Sequence, residues 1–204
     1  MGGPVTGETM ADGTLHADTV ATLTAFAATS AEAAEARRRT LELLRAGPVA
    51  MTRAHRAGHV TASTLVTDPD GRILLCLHGR LGMWMQLGGH CEAGDTSLAD
   101  AALREAIEES GITGLWLPPE PIDVDVHPVR CAVEDGGPAA PSVHFDVRFV
   151  AVCPAGAVER VSAESAALGW FSPDALPSPL ADGVVRQIAP ALARLAEAPA
   201  APQS

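Results

Sequence analysis

The sequence contains no lysine and no tyrosine, so its fourteen basic side chains other than histidine are all arginines. Without lysine, the chain has neither the lysine of a phosphate-binding loop nor an amine for Schiff-base chemistry. The formal net charge is -11, and the one basic cluster, Arg37 to Arg39, lies inside a predicted helix. Most of such a surface would repel a long polyanion. We therefore expect a small phosphorylated substrate as the partner and consider a nucleic acid disfavoured.

Long apolar runs and paired cysteine motifs are also absent. No stretch of about 18 apolar residues occurs, so we expect no membrane-spanning helix and no membrane partner. The amino terminus lacks a basic start followed by an apolar stretch, so we expect no secretory signal. The four cysteines lack CxxC spacing, which argues against structural zinc and against a disulfide framework. These features predict a cytoplasmic protein with reduced thiols.

Length and composition predict a main domain with extensions. A chain of 204 residues can bury a substantial core in one domain. The ends are rich in Gly, Ala and Pro, which predicts disordered tails at residues 1–14 and 198–204. Between the tails we place an N-terminal helical extension at residues 15–57 and the main domain at residues 58–197.

Two helices are predicted in the N-terminal extension. The sequence Thr29-Ser30-Ala31-Glu32 matches a capping box that opens the second helix, and Gly47-Pro48 ends it. Leu23, Phe26 and two leucines of the second helix form an apolar stripe. This stripe packs on the main domain, on the partner in a homodimer, or over the substrate cleft. Packing on the domain is the default, because exposed apolar patches are uncommon on monomers.

The main domain shows strand patterns on both sides of one amphipathic helix. A strand from Val60 to Val66 leads through an Asp70-Gly71 turn into a second strand. Later, Ile122–His127 and Val143–Val150 alternate with period two and predict paired antiparallel strands. A last helix is predicted from Asp182 to Glu197. The order β-β-β-α-β-β-β-α predicts an α/β fold with a mixed sheet and helices on both faces.

The most informative segment places a glycine pair shortly before an acidic helix. At about 100° per residue, Arg104, Glu105, Glu108 and Glu109 share one arc of the helix, whereas Leu103, Ala106, Ile107 and Ser110 share the opposite arc. The acidic arc offers hard oxygen ligands that suit Mg²⁺ or Mn²⁺. The alternative is a solvated acidic face. Glu105 and Glu109 repel each other at this spacing by about 0.2–0.5 kcal/mol, which favours a bound cation.

These residues resemble the Nudix box of the Nudix hydrolases. The family pattern is Gly, five residues, Glu, seven residues, and then Arg-Glu-apolar-x-Glu-Glu-x-Gly-apolar. Residues 104–112 match its second half in full. In the first half, Asp95 stands where the family has glutamate, and eight residues rather than seven separate it from Arg104. The resemblance extends from about His59 to Leu176 and implies a Nudix-type α/β/α sandwich with the N-terminal helical extension added.

The resemblance implies Mg²⁺-dependent (or Mn²⁺-dependent) hydrolysis of a diphosphate linkage in a small nucleoside diphosphate derivative. Such derivatives include a nucleotide, a nucleotide sugar and an ADP-ribose-like compound. It implies that the metal ligands are Glu105, Glu108, Glu109 and the carbonyl of Gly88. One of these glutamates, or an acid from a loop, would act as general base while water attacks phosphorus. Arg104 would orient a glutamate through a charge-assisted hydrogen bond; Glu105, Glu108 and Arg104 are thus the catalytic candidates.

Further candidates for substrate binding follow from position alone. They are His90, Glu92, Asp95, His127, His144 and Trp84. Asp95 either contacts the site or caps the helix that follows it. His127 and His144 are expected on neighbouring strands, where the ordinary interpretation is a solvated face and the alternative is a cluster that lines the cleft. Trp84 either stacks on a base or packs in the core.

The alternative to an enzyme is a catalytically inactive Nudix-fold module that binds and senses a nucleotide. A site that has lost catalysis does not need every acid in the second half of the box, and here all of them are present. The sequence therefore favours the nucleotide diphosphatase. It leaves open the substrate, the general base and the oligomeric state.

Overall fold

The computed structural model describes residues 13–131, 139–162 and 165–198. Within these ranges the α-helices are α1 (Thr14–Ala25), α2 (Ala31–Leu43), α3 (Leu98–Ser110) and α4 (Val184–Leu195), and short 3-10 helices span Leu44–Ala46 and Pro48–Met51. The strands are β1 (His59–Thr67), β2 (Ile73–His78), β3 (Trp84–Met85), β4 (Leu87–His90), β5 (Asp123–Cys131), β6 (Ala140–Val152) and β7 (Ser165–Phe171). Among the described residues, no helix has both the length and the apolar character needed to cross a membrane.

The strands form one mixed sheet in the order β3-β2-β1-β6-β5, with β4 also paired to β1 and β7 to β2. Strand β1 pairs in parallel with β6 and antiparallel with β2 and β4. Every residue of β1 is buried, so this strand is the centre of the fold. The predicted α/β architecture is confirmed. The predicted order was short by one strand, because two short strands, β3 and β4, form between β2 and α3.

The first predicted hairpin is confirmed, with β1 and β2 paired antiparallel. Asp68 holds the turn, because its carboxylate accepts hydrogen bonds from the backbone N–H groups of Asp70 and Arg72 at 3.1 and 2.8 Å. Gly71 lies at φ 82°, in the left-handed region where glycine has no steric penalty.

The second predicted strand pair, β5 and β6, is also antiparallel, and His127 lies opposite His144 in its register. Residues 132–138, between these two strands, lie outside the described residues. Phe145, Val147 and Phe149 all belong to the buried cluster beneath α1, α2 and α3. This apolar face of β6 is the one that the alternation predicts.

The opposite face of β6 is buried as well, which corrects the ordinary expectation of a solvated strand face. Asp146 and Arg148 are only 2% and 1% exposed. The Arg148 guanidinium donates to the carboxylates of Asp146, Asp123 and Asp125 at 2.9–3.1 Å. Because these charges are paired, their burial is tolerated where an isolated charge would be strongly unfavourable.

The N-terminal helices pack on the main domain, which is the default arrangement expected from the sequence. Leu15, Leu23 and Leu44 are buried in the same cluster as Phe145 of β6. Two details differ from the sequence predictions. Ser30, one residue after the expected Thr29, caps α2 by accepting from the N–H of Ala33. The first helix already begins at Thr14; the rest of the predicted tails, residues 1–12 and 199–204, lies outside the described residues.

The basic cluster of α2 is used in contacts within the chain. Arg37 donates to the carbonyl oxygens of Leu23 and Thr24, which ties α2 to the end of α1. Arg38 pairs with Glu35 on the exposed side of α2. The guanidinium carbon of Arg39 lies 5.9 Å from the centre of the Phe145 ring. All three arginines therefore have intramolecular partners.

A carboxylate of the extension also caps α3. Asp18 in α1 accepts a hydrogen bond from the backbone N–H of Leu98 at 2.9 Å. Leu98 is the first residue of α3, whose free N–H groups need acceptors from outside the helix. The extension thus contacts the helix that carries the acidic residues at the end where that helix begins.

We predict that Asp18→Ala lowers the free energy of unfolding by about 0.5–2 kcal/mol, because one helix-capping hydrogen bond is lost. Urea denaturation followed by circular dichroism measures this change. Asp174→Ala is the matched control, because Asp174 is exposed and lies far from any helix start in the described chain. Equal stabilities of the two variants would contradict the capping role of Asp18.

Candidate active site

The acidic helix α3 is fixed at both ends and along one side. Ser97 caps it by accepting from the N–H of Asp100 at 3.0 Å. Gly111 ends it in the left-handed conformation, with its N–H donating to the carbonyl of Ile107. On the side turned away from the glutamates, Ala106 and Ser110 are fully buried. The helix therefore presents its glutamates in a fixed direction.

The glycine pair lies in strand β4, which is paired with β1. Gly88 has φ 149°, and a β-carbon there would lie 2.4 Å from the side chain of Ser63. A β-carbon on Gly89 would lie 2.6–2.7 Å from the carboxylate of Glu105. A larger residue is therefore excluded at Gly88, and at Gly89 it would push the Glu105 carboxylate away from the strand. The absence of side chains lets the Glu105 carboxylate lie directly against the strand backbone.

Two glutamates of α3 contact this strand and the arginine beside it. The N–H of Gly88 donates to the Glu109 carboxylate at 2.9 Å, so Glu109 is anchored to β4. The side chain of Glu105 is 14% exposed, whereas that of Glu108 is 58% exposed. Glu105 and Glu109 therefore approach the strand, and Glu108 lies nearer to solvent.

Arg104 connects these acids. Its Nη1 donates to the carboxylates of Glu105 and Glu108 at 3.0 and 3.1 Å. Its Nη2 donates to the carbonyl oxygen of His90 at 2.9 Å, which joins α3 to β4. The hydrogen bond to Asp95, together with the nearby Glu105, raises the pKa of Arg104 above its usual value. The arginine is therefore a permanent cation at the centre of the acidic group.

Asp95 pairs with Arg104 and does not cap the helix. Its two carboxylate oxygens accept from Nε and Nη2 of Arg104, both at 3.0 Å. It also accepts from the backbone N–H of Glu92 at 2.7 Å and is 7% exposed. Asp95 thus lies behind the acidic residues and holds Arg104 in place, while Ser97 caps the helix.

A cavity of about 280 Å³ opens over the glutamates. Its lining residues are Arg53, Gly89, His90, Glu92, Glu105, Glu108, Glu109 and Ser162. Five of the residues predicted from the sequence therefore share one cavity: His90, Glu92, Glu105, Glu108 and Glu109. Gly88 lies beside it through its hydrogen bond to Glu109.

Sequence reasoning missed Arg53 and Ser162 in this cavity. Arg53 belongs to the segment between α2 and β1, and Ser162 to the segment before β7. Neither residue stands in a periodic pattern or at a fixed spacing from the acidic helix. Only the folding of the chain brings an exposed arginine over the glutamates.

Three other predicted residues lie away from the lining of this cavity. Trp84 is half-buried in β3 and packs edge-to-face on Phe171, with ring centres 4.9 Å apart. The Nδ1 of His127 donates to the carboxylate of Asp125 at 2.9 Å, and the ring centre of His127 is 5.8 Å from that of His144. The predicted pairing of His127 with His144 is therefore confirmed.

His144 belongs to a compact group with His90 and His59, and His59 was not a predicted site residue. The three ring centres are each 5.0 Å apart. Burial lowers the pKa of His90 to about 3 and those of His59 and His144 to about 4. The three imidazoles are therefore neutral near pH 7. His90 is the member that also reaches the acidic cavity.

Cys91 follows His90, and its thiol is unreactive. Burial raises the pKa of its thiol to about 12, with the negative charge of Asp95 adding to the effect. A thiol with such a pKa is protonated near pH 7 and is a poor nucleophile.

Comparison with known proteins places this arrangement in a family. A model of the NUDIX domain matches residues 57–195. A MutT-like protein of Streptomyces ambofaciens is 32% identical over 124 residues, which cover 60% of this chain and 70% of that protein. A Nudix-family hydrolase from Clostridium perfringens aligns at 22% identity and TM-score 0.49, covering 67% of this chain and 97% of that one. The NUDIX domain of Shewanella oneidensis NrtR, solved with ADP ribose, aligns at 21% identity and TM-score 0.48, covering 70% and 92%.

The matched range contains the glycine strand, the acidic helix and the sheet that positions both of them. Because the family model covers more than half of the chain, including every glutamate of the cavity, this chain belongs to the Nudix hydrolase family.

Proposed function

We propose that this Nudix hydrolase cleaves a diphosphate linkage in a small nucleoside diphosphate derivative with the help of Mg²⁺ or Mn²⁺. The observation that carries the proposal is the cavity in which Glu105, Glu108 and Glu109 face the backbone of Gly89. Carboxylates and backbone carbonyls are the oxygen ligands that Mg²⁺ prefers in proteins. The opposing charge of Arg53 on the same lining suits a phosphorylated substrate.

The residues around the cavity fit a divalent cation. Glu105, Glu108, Glu109 and the carbonyl of Gly88 would hold it. The cation would neutralise phosphate oxygens and activate water for attack at phosphorus. Without it, several carboxylates would repel one another and the substrate in the same small volume. Their chemistry therefore matches the proposed cofactor.

The chain itself supplies orientation. Arg104 is a positioning residue: it fixes Glu105 and Glu108 through one nitrogen and is in turn fixed by Asp95. The N–H of Gly88 fixes Glu109. Glu105 or Glu108, or Glu92 from the preceding loop, would take up the proton of the attacking water. His127, His144 and Trp84 stay predicted contacts for the rest of the substrate, and a cytoplasmic location stays a prediction.

We predict that Glu109→Gln lowers metal-dependent kcat/KM by about 10²-fold or more, because a charged ligand is lost. The amide oxygen still accepts from Gly88, so the melting temperature stays unchanged or rises. Monophosphate and phosphate release from ADP-ribose, nucleotide sugars and nucleoside triphosphates, with and without Mg²⁺, gives the measurement. Glu42→Gln, in an exposed pair with Arg45, is the control. Undiminished turnover in Glu109→Gln would refute the assignment, and tight substrate binding by wild type without any turnover would favour a sensing module.

Asp95→Asn tests the buried partner of Arg104. The neutral amide loses one half of a bidentate ion pair, so Arg104 no longer holds Glu105 and Glu108 as firmly. We expect the Mg²⁺ concentration for half-maximal rate to rise about tenfold, as is usual for residues that orient metal ligands. The control is Asp100→Asn, an exposed acid near the start of the same helix. An unchanged Mg²⁺ dependence in Asp95→Asn would show that Asp95 does not help to position the metal ligands.

Arg53→Ala is expected to raise KM about 10- to 150-fold and to leave kcat within about twofold, because a charge-assisted hydrogen bond to substrate is worth about 1.5–3 kcal/mol. Steady-state kinetics at saturating Mg²⁺ measures both constants. Arg56→Ala is the matched control, since Arg56 is equally exposed three residues away but is absent from the cavity lining. Identical KM values for the two variants would exclude Arg53 as a substrate contact.

A further inference from the structure

Beside the acidic cavity lies a second group of ligating side chains with a different chemistry. It consists of His59, His90, Cys131 and His144, whose potential ligand atoms all lie within 4.8 Å of one another. We propose a zinc site whose four ligands are the side chains of these residues. It goes beyond the proposed hydrolysis and does not depend on it.

The sheet itself assembles the group. Strands β4, β1, β6 and β5 are neighbours in that order, and each contributes one ligand. His59 lies opposite His144 in the parallel β1–β6 pair, and His90 lies opposite Thr61 on the other side of β1. Cys131 lies four residues after His127, which faces His144, so the period of two puts Cys131 on the same side of the sheet. One ligand from each of four adjacent strands therefore points to a common position.

The distances fit tetrahedral coordination. With Zn–N near 2.0–2.1 Å and Zn–S near 2.3 Å, ligand atoms are about 3.3–3.6 Å apart. The Sγ of Cys131 lies 3.3 Å from Nε2 of His90 and 3.9 Å from Nε2 of His59. These two distances lie within about 0.4 Å of tetrahedral spacing, and all the ligand atoms lie within 4.8 Å of one another.

An unsatisfied nitrogen points to the same conclusion. The Nε2 atom of His144 is buried and has no hydrogen-bond partner among the described residues. A buried polar atom without a partner usually costs about 1–3 kcal/mol. Three neutral imidazoles packed with ring centres 5.0 Å apart also leave few donors for one another's lone pairs. A metal ion satisfies these lone pairs together.

The donor set selects the metal and its role. Three imidazoles and one thiolate suit zinc, whereas Mg²⁺ prefers oxygen. Four protein ligands close the coordination sphere, which is typical of structural rather than catalytic zinc. The ion would fasten the end of β5 to β6, β1 and β4. Through His90, whose carbonyl accepts from Arg104, it would also fix the strand beneath the glutamates.

The test uses the full chain, stripped with a chelator and reloaded with Co²⁺ or Zn²⁺. Tetrahedral Co²⁺ bound to a thiolate gives intense visible bands and a sulfur-to-cobalt charge-transfer band in the near ultraviolet. We expect both features with wild type, and about one zinc ion per chain by elemental analysis. A wild-type protein that takes up neither metal, or a cobalt spectrum without the charge-transfer band, would overturn the proposal.

Variants assign the ligands. Cys131→Ala is expected to abolish the charge-transfer band and to weaken zinc binding at least about 100-fold, because even outer partners of metal ligands are worth about 10–100-fold. Cys153→Ala, at a buried cysteine outside the group, is expected to keep both. His144→Ala is expected to weaken zinc binding similarly, with His127→Ala as its control. Equal spectra and affinities within each pair would contradict the site.

The Glu109→Gln variant separates this site from the acidic cavity. We expect it to keep the charge-transfer band and the zinc affinity of wild type, even though its hydrolysis is lost. A cobalt spectrum that survives in Cys131→Ala but disappears in Glu109→Gln would place the metal on the carboxylates and refute the zinc site. The zinc site is therefore tested by the cobalt spectrum of Cys131→Ala, whereas the proposed hydrolysis is tested by the turnover of Glu109→Gln.

Discussion

The site depends on one guanidinium group. Every N–H of Arg104 has an acceptor: Nε and Nη2 face Asp95, Nη2 also reaches the carbonyl of His90, and Nη1 reaches Glu105 and Glu108. A lysine has no planar fork and could not hold acceptors in so many fixed directions. Because the same group contacts both α3 and β4, it fixes the distance between the acidic helix and the glycine strand.

The backbone of the two glycines also allows strand β4 and helix α3 to lie close together. Gly88 and Gly89 leave no β-carbon between strand β4 and the helix, so the Glu105 carboxylate approaches the backbone and Glu109 accepts from the Gly88 N–H. The departures from the family pattern are accommodated in this arrangement. Asp95 is shorter than glutamate and is followed by an extra residue, yet its carboxylate makes a bidentate pair with Arg104.

The polar side of the sheet is the second feature that shapes the molecule. Asp146 accepts from the hydroxyl groups of Thr61 and Ser63 in β1 and from Arg148 in its own strand. Arg186 of α4 binds the same aspartates, Asp123 and Asp125, that Arg148 binds. His144 lies two residues before Asp146 on this face, so the histidine group adjoins these ion pairs. The face that the alternation of β6 presents as polar is therefore an interior surface beside the cavity.

The sequence by itself determined the family resemblance, the mixed α/β fold and the direction of the acidic face. These follow from local periodicity and from the spacing of residues 104–112, which one helix fixes without any distant partner. The N-terminal helices were also foreseen, because their apolar stripe requires cover. A local sequence pattern is sufficient for such a prediction when all the residues involved belong to one helix or one strand.

Only the tertiary structure decided which distant residues meet. Arg53 reaches the cavity, and Cys131 joins three histidines, through strand pairings that span most of the chain. The missing CxxC spacing argued against structural zinc, but ligands from four strands need no short spacing. Likewise, the alternation in β6 predicts an apolar and a polar face but not whether each is exposed to solvent. Both faces are buried, and the ion pairs of Arg148 make the burial of the polar face tolerable. These contacts and the burial of both faces depend on strand register and packing, which no local sequence pattern encodes.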